Sequence, residues 1–202
     1  MFKLTRRDAC HTYEGEKRLH LTPLGNLPGV TTILGATSGR GFSQWRKDNP
    51  VEAQRTRDRG IEWDRAIRAY WERSELSSGH IWDLGYSVAS TMSPVVWEHQ
   101  VYSELGFSGS IDLLCEWDGL TLVDWKTSTK RKTPSQITDY FLQISAYSFA
   151  LKELDKIKID RASIIVLSES ESVPQVFDLD WDMIGYFFSK FEDRLNDYYR
   201  MR

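Results

Sequence analysis

Residues 107–128, FSGSIDLLCEWDGLTLVDWKTS, constrain the fold of this chain more than any other stretch. Two runs rich in aliphatic and β-branched residues flank Trp117-Asp118-Gly119, and an Asp-Gly pair between such runs is a strong hairpin signal. Each run is nevertheless broken by a carboxylate: Asp112 in the first, and in the second Asp124, two residues before Lys126. A strand built only for a core has no use for them. Side chains alternate along a strand, so Leu122, Asp124 and Lys126 are expected on one face, and Asp112, Leu114 and Glu116 on one face of the strand before. The turn decides how the two sets meet. A two-residue primed turn at Asp118-Gly119 pairs Trp117 with Leu120 and separates the aspartates. A three-residue loop with Gly119 left-handed pairs Glu116 with Leu120 and sets Asp112 opposite Asp124. The second register is favoured, because it gives the charged residues a joint purpose.

Two carboxylates facing each other across a ladder repel, at a cost of roughly 0.2–1 kcal/mol, and of more when buried. A bound divalent cation reverses that sign. Oxygen ligands of this kind suit Mg²⁺ or Mn²⁺, which keep several waters and bridge to substrate phosphate. Such an ion polarises a phosphoryl oxygen and acidifies a bound water. Lys126 then has two possible roles: a base, if its pKa is depressed, or an ammonium that stabilises the charge of the pentacovalent state. The plain alternative is an Asp124–Lys126 salt bridge beside a turn.

The 202 residues, 41% hydrophobic and 27% charged, are expected to form one soluble domain over residues 1–202 with a sizeable core. No apolar run approaches the roughly 20 residues of a membrane span. The N-terminus lacks the marks of a signal or transit peptide, so the expected location is the cytoplasm of a bacterial or phage-infected cell. Cys10 and Cys115 lie far apart with no C-x-x-C, which supports neither a zinc site nor an iron–sulfur cluster. The net charge of -3 does not by itself point to nucleic acid, but its distribution does. Lys126, Lys130, Arg131 and Lys132 are clustered, and Arg55, Arg57, Arg59, Arg65 and Arg68 recur along an earlier segment. Either cluster taken alone also reads as a solvated face.

Along the chain, residues 27–34 read as a turn and a short β-branched segment. From about Gln44 to Ser74 the pattern is helical, with Trp63, Ile67, Tyr70 and Trp71 on one stripe and Asp64 beside it. Residues 77–94 show no clear pattern. A strand follows Pro94, then the two strands of the hairpin. Thr133, Pro134 and Gln136 form a capping box that opens a helix to about Leu154. Its core stripe is Ile137, Tyr140, Phe141, Ile144, Leu151 and Leu154, with Gln136, Tyr140, Gln143 and Tyr147 on a neighbouring edge. Two more strands and a helix capped by Asp180 complete the order. The fold class expected is α/β, a mixed central sheet flanked by helices. Residues 1–93 would form a mainly helical N-terminal part walling the site, and 94–202 the catalytic core.

"GSID", then "DWK", then a helix bearing "QISAY" resembles the RecB-like PD-(D/E)XK nucleases, whose pattern is G-x-x-D, (D/E)-x-K and Q-x-x-x-Y. With "LPGVTTIL", "RDRGIEWDRAI" and "VDWKTS" added, the chain over about 27–199 looks like the mitochondrial genome maintenance exonucleases and their phage-encoded relatives. The resemblance implies a restriction-endonuclease-like core. It implies Asp112, Asp124 and the Trp125 carbonyl as metal ligands, Lys126 as the catalytic lysine, and Gln143 and Tyr147 lining the site. Thr127 and Ser128 match the polar residues after the lysine, whose hydroxyls can reach a phosphate. One position departs: the family often shows R-G-x-x-x-H, and here Arg59-Gly60 leads to Asp64. Aspartate can bind Mg²⁺ in that place, or stand on the surface with the role lost. Glu98 is a fallback acidic ligand, otherwise a solvent-facing strand residue.

The expected activity is metal-dependent exonucleolytic hydrolysis of DNA, on single strands from free ends, in replication, repair or recombination. The arginines of the first long helix, Arg55 and Arg59 among them, would track phosphates together with Lys130, Arg131 and Lys132, while Trp45, Trp63 or Trp71 could stack on a base. An endonuclease of the same fold and a non-catalytic DNA-binding module are the alternatives; the intact Asp112, Asp124 and Lys126 argue against the module.

Overall fold

The structure is a computed structural model that describes residues 4–14, 17–39 and 47–201. Gln44 and Trp45 lie outside them. Residues 10–28 form a small antiparallel sheet that the sequence reading did not anticipate: β1 (Cys10–Glu14), β2 (Lys17–Thr22) and β3 (Gly25–Pro28). The next segment, read as a turn and a short β-branched segment, contains helix α1 (Val30–Thr37). Val30, Ile33 and Leu34 are its buried residues. Their i, i+3, i+4 spacing is the helical one, and burying all three outweighs a propensity penalty of a few tenths of a kcal/mol per residue.

Helix α2 (Pro50–Arg73) has Pro50 in its first turn, where the missing N–H costs nothing, and ends at Ser74 in the left-handed conformation, φ 56°. Its stripe buries Trp63 and Ile67 and half-buries Tyr70 and Trp71. The patternless stretch contains α3 (His80–Ala89). A side chain at Gly85 would overlap the Trp63 indole, so the glycine lets α3 lie close against α2.

The main sheet has five strands in the order β4 (Ser93–Ser103), β5 (Phe107–Glu116), β6 (Leu120–Ser128), β7 (Arg161–Ser168) and β8 (Gln175–Leu179). Only the β6–β7 pair is parallel. A parallel pair needs a long crossover, supplied by α4 (Thr138–Asp155). The capping box sits one turn early: Gln136 accepts from the Thr133 N–H at 2.9 Å, but the turn it closes, Pro134–Gln136, is 3₁₀, and the α-helix starts at Thr138. Helix α5 (Trp181–Arg200) is capped by Asp180, which accepts from the Met183 N–H at 2.9 Å.

Two cores result. Helices α1, α4 and α5 cover one face of the sheet, where Ile111, Leu114, Leu122, Ile164 and Phe191 pack together. Helices α2 and α3 cover the other, over Leu113, Cys115, Val123, Trp125 and Ile165. Helix α4 is buried around more of its circumference than one stripe implies, since Leu142, Ser145, Ala146, Ser148 and Ala150 are buried as well. Small residues there let it settle against the sheet. The small sheet is fastened to β4: Gln100 donates to the Leu21 carbonyl at 3.0 Å, and Arg7 reaches Asp155 with two contacts of 2.6 Å. Among the described residues, no helix is long and apolar enough to cross a membrane.

Candidate active site

The β5–β6 turn is a three-residue loop. Glu116 pairs with Leu120, Trp117 N–H donates to the Gly119 carbonyl at 2.8 Å, and Gly119 has φ +95°. The register therefore runs toward Asp112 opposite Asp124, but the ladder stops one pair short, at Leu113–Val123. Beyond it the strands part, and Asp112 Oδ2 accepts a hydrogen bond from the Trp125 N–H at 2.8 Å. The N–H and C=O of a strand residue point to the same side, so the Trp125 carbonyl also faces this gap.

Strict alternation fails at the same place. Ile111 and Leu114 both lie in the core under α4, whereas Leu113 and Cys115 lie in the core under α2 and α3. Asp112 is thus not on the Leu114 face; it sits where β5 changes phase and opens toward α2. On the far side of β5 the β4 ladder also skips a step, passing from Trp97–Leu113 to His99–Ile111. The residue skipped is Glu98, at φ 47°, a conformation that costs a non-glycine residue about 1–3 kcal/mol.

Asp124 is almost wholly buried, at 2% exposure. Its Oδ1 accepts from Gln143 Nε2 at 3.1 Å, and Gln143 Nε2 also reaches the Tyr147 hydroxyl at 3.4 Å. Helix α4 thus delivers the two residues of Q-x-x-x-Y as a support for the carboxylate. Gly109 makes room for it, because any side chain there would overlap the Tyr147 ring. Asp124 Oδ2 lies 2.6 Å from Lys126 Nζ, a charge-assisted contact between a buried carboxylate and an ammonium. Lys126 Nζ also stands 5.1 Å from the centre of the Tyr140 ring, a cation–π contact the sequence reading missed. The signal was present: Tyr140 is on the same helix edge as Gln143.

Burial, followed by the Asp124 charge, pushes the Asp112 carboxyl well above the ordinary carboxylate range. Burial raises Asp124 too, with Lys126 pulling the other way. For Lys126, burial opposes the charge, but Asp124 and Asp112 outweigh it and hold the ammonium protonated. Asp64 is solvent-accessible, but the protein around it still raises its carboxyl through desolvation, with Lys126 opposing and Glu98 and Asp124 adding. Asp64, Glu98, Ser110, Asp112 and Trp125 line one cavity of about 590 Å³.

No three side chains of His, Cys, Asp or Glu among the described residues are gathered closely enough to hold one ion. The fit to a dication therefore rests on two carboxylates and a carbonyl. The Asp124 carboxylate, a desolvated Asp112 and a Trp125 carbonyl facing the gap make an all-oxygen set, suited to a hard cation that retains waters. Asp64 stands beside this set.

The basic residues are less available than the sequence implied. Arg59 is buried and, with Arg55, reaches Glu169, at 3.1 and 3.5 Å. Both line a second cavity, of about 820 Å³ between α2 and α3, which contains none of the three aspartates. Arg131 pairs with Glu171 at 3.0 Å, Lys130 is exposed, and Lys132 is half-buried, its N–H donating to Gln175. Ser128, expected to offer its hydroxyl to phosphate, closes a turn instead: it is buried and donates to the Lys130 carbonyl at 2.7 Å. Thr127 lies on the opposite face of β6 from Lys126, close to Gly60 of α2. Trp63 is core, and Cys10 and Cys115 are free thiols.

No curated protein matches the chain in sequence. Among solved structures, a candidate exonuclease from Eubacterium rectale superposes with a TM-score of 0.46 at 11% identity over 85% of this chain, which spans 63% of the length of that protein. The protein SSO0001 superposes at 0.39 and 9% identity, over 69% of this chain and 71% of its own. The model of the PD-(D/E)XK nuclease superfamily, whose enzymes generally use divalent metal ions, matches residues 39–178, from before α2 to the end of β8. That match takes in well over half of the sequence and every carboxylate of the cavity but Asp8, and with it the chain belongs to the PD-(D/E)XK nuclease superfamily.

Proposed function

We propose that this protein is a deoxyribonuclease dependent on Mg²⁺ or Mn²⁺ that hydrolyses single-stranded DNA from free ends. What supports the reading most is Asp112 lying within electrostatic reach of Asp124 and Lys126 where β5 and β6 part, with Lys126 Nζ 2.6 Å from Asp124. A buried and a half-buried carboxylate, both with pKa values raised by desolvation, are costly in a structure of no function, and perturbed groups of this kind cluster at working sites.

A dication held by Asp112, Asp124 and the Trp125 carbonyl would supply Lewis acidity toward a phosphoryl oxygen and acidify a water. The chain does the positioning. Gln143 fixes Asp124, Tyr147 backs Gln143, and the Trp125 N–H fixes Asp112. Lys126, held protonated, offers an ammonium toward the charge that develops on phosphorus-bound oxygens, and Tyr140 braces it from the other side. Charge stabilisation is therefore preferred to general-base catalysis for this lysine. The cavity, at about 590 Å³, has the volume of a small-ligand pocket. A pocket of that size beside Asp112 and Trp125 suits one or two unpaired nucleotides, in keeping with the single-strand part of the reading.

The test incubates the protein with end-labelled linear and with circular single-stranded DNA, in Mg²⁺, in Mn²⁺ and in EDTA. Digestion of the linear strand with either ion, survival of the circle and of blunt duplex, and no reaction in EDTA are expected. Rapid cutting of the circle replaces the exonuclease with an endonuclease of the same fold, and inertness in every lane removes the catalytic reading.

A further inference from the structure

The cavity of the carboxylates has a second side. Its wall away from Asp112 is built by α2 through Ile67, Arg68 and Trp71, by Trp97 of β4, and by His11 and Arg18 of the β1–β2 hairpin. The superfamily match begins only at residue 39 and leaves the hairpin out. We infer that Trp71, Trp97 and the hairpin face bearing His11 and Arg18 form a subsite that binds an unpaired nucleotide of a DNA strand next to the carboxylates. The inference rests on the cavity being the nuclease site.

Three observations support it. Trp71 is only half-buried, with Tyr70 as its one neighbour ring among the described residues, at 4.7 Å, so it can offer a face to a base. Trp97 has Arg6 5.9 Å from its ring centre, while its Nε1–H is buried with no hydrogen-bond partner among the described residues. That donor is closed to the cavity, so what Trp97 can offer a ligand is the accessible part of its half-buried ring. Finally, His11 faces His20 across the hairpin and Tyr13 faces Arg18, so alternation puts His11, Tyr13, Arg18 and His20 on one face. Tyr13 is 70% exposed and Arg18 is exposed, with His11 within hydrogen-bonding reach. An aromatic-and-basic surface beside a cavity with a half-buried indole is what a protein that grips single strands presents: rings for bases, cations for phosphates. The hairpin is also a firm platform, since Gln100 and Arg7 fasten its surroundings to β4 and α4.

The probe is a short fluorescein-labelled oligothymidylate, titrated in EDTA so that binding is read without cleavage. Trp71→Ala should weaken binding by about 5- to 100-fold, the effect of losing one base–aromatic stack, and Trp71→Phe should restore most of it. Arg18→Ala, at an exposed position that folding tolerates, should reduce the slope of log affinity against log salt by about 0.7. Wild-type affinity in Trp71→Ala together with an unchanged salt slope in Arg18→Ala overturns the inference. Should a tryptophan variant fail to fold, the Arg18→Ala slope and quenching of the wild-type tryptophan fluorescence by unlabelled oligothymidylate decide, and absence of both effects refutes it. Cleavage by wild type in Mn²⁺ is scored separately. Cleavage with indifferent variants removes the subsite and keeps the nuclease; variant-sensitive binding with no cleavage does the reverse.

Discussion

The carboxylate of Asp112 accepts a hydrogen bond from the backbone N–H of Trp125 at 2.8 Å, across a gap where the β5–β6 ladder has already ended. A paired ladder would have consumed that N–H and left Asp112 facing Asp124 directly. The gap instead frees one side chain and one peptide group of adjoining strands for a common ligand. The electrostatics follow, because burial raises both carboxyls and Lys126 opposes the rise.

Lys126→Ala is expected to cut hydrolysis by at least about 10²–10³-fold, the usual loss for one preorganised electrostatic group. Metal-dependent DNA binding should be largely retained. Single-turnover rates and binding isotherms in Ca²⁺ separate the two; a wild-type rate would remove Lys126 from the chemistry.

Asp112→Asn should raise the melting temperature of the metal-free protein at neutral pH, because burial and Asp124 raise the Asp112 carboxyl to about 8, so the fold must hold protonated a group that the unfolded chain ionises. The same variant should lose the stabilisation that Mn²⁺ confers by binding the folded state. Thermal melts with and without Mn²⁺ check both halves.

Gly109→Ala forces a methyl into the Tyr147 ring. A destabilisation of about 1–3 kcal/mol is expected for such overpacking. Displacing Tyr147 also disturbs Gln143 and so Asp124, and kcat should fall in protein that is still folded. Urea unfolding and initial rates measure the two effects.

Asp64 shares the cavity of Asp112. If it serves as a ligand, Asp64→Ala raises the metal concentration needed for half-maximal activity, and Asp64→His shifts preference toward Mn²⁺, since imidazole suits transition metals. Unchanged metal titrations in both variants return Asp64 to a surface role.

Burial, then His11 and Arg18, depress His20 to about 4. A neutral histidine in the fold that is charged in the unfolded chain contributes stability above the unfolded value near 6.5, and that stability is lost as pH falls from there toward about 4. Melting of the wild type should therefore decline between pH 6.5 and 4 more steeply than that of His20→Phe, measured by differential scanning calorimetry.

Much of this site was legible in the chain itself. Asp112, Asp124 and Lys126 stood out because each interrupts a β pattern, and Asp118-Gly119 with the favoured loop led to the Glu116–Leu120 register that the structure has. Gln143 and Tyr147 were one helix edge. What failed were arguments from strict period: Asp112 does not share a face with Leu114, because β5 changes phase opposite the left-handed Glu98. The β-branched Val30-Thr31-Thr32-Ile33 stretch became a helix because its apolar spacing fits a core that only the packed fold provides. Ser128 and Arg59 carried the right chemistry but found local partners, a turn carbonyl and Glu169, that no spacing rule reveals.

The sequence by itself determined the order of elements from Pro94 onward, the hairpin register and the identity of the acid, acid and lysine, because these follow from alternation, turn chemistry and the cost of charge in a strand. Tertiary structure alone decided that the ladder would open at Asp112, that Lys126 would stay protonated between Asp124 and Tyr140, and that a hairpin from residues 10–22 would close the far side of the cavity. Those outcomes depend on which groups share a desolvated space, and residues as distant as His11, Trp71 and Asp112 meet only when the strands, the helix and the hairpin are packed together.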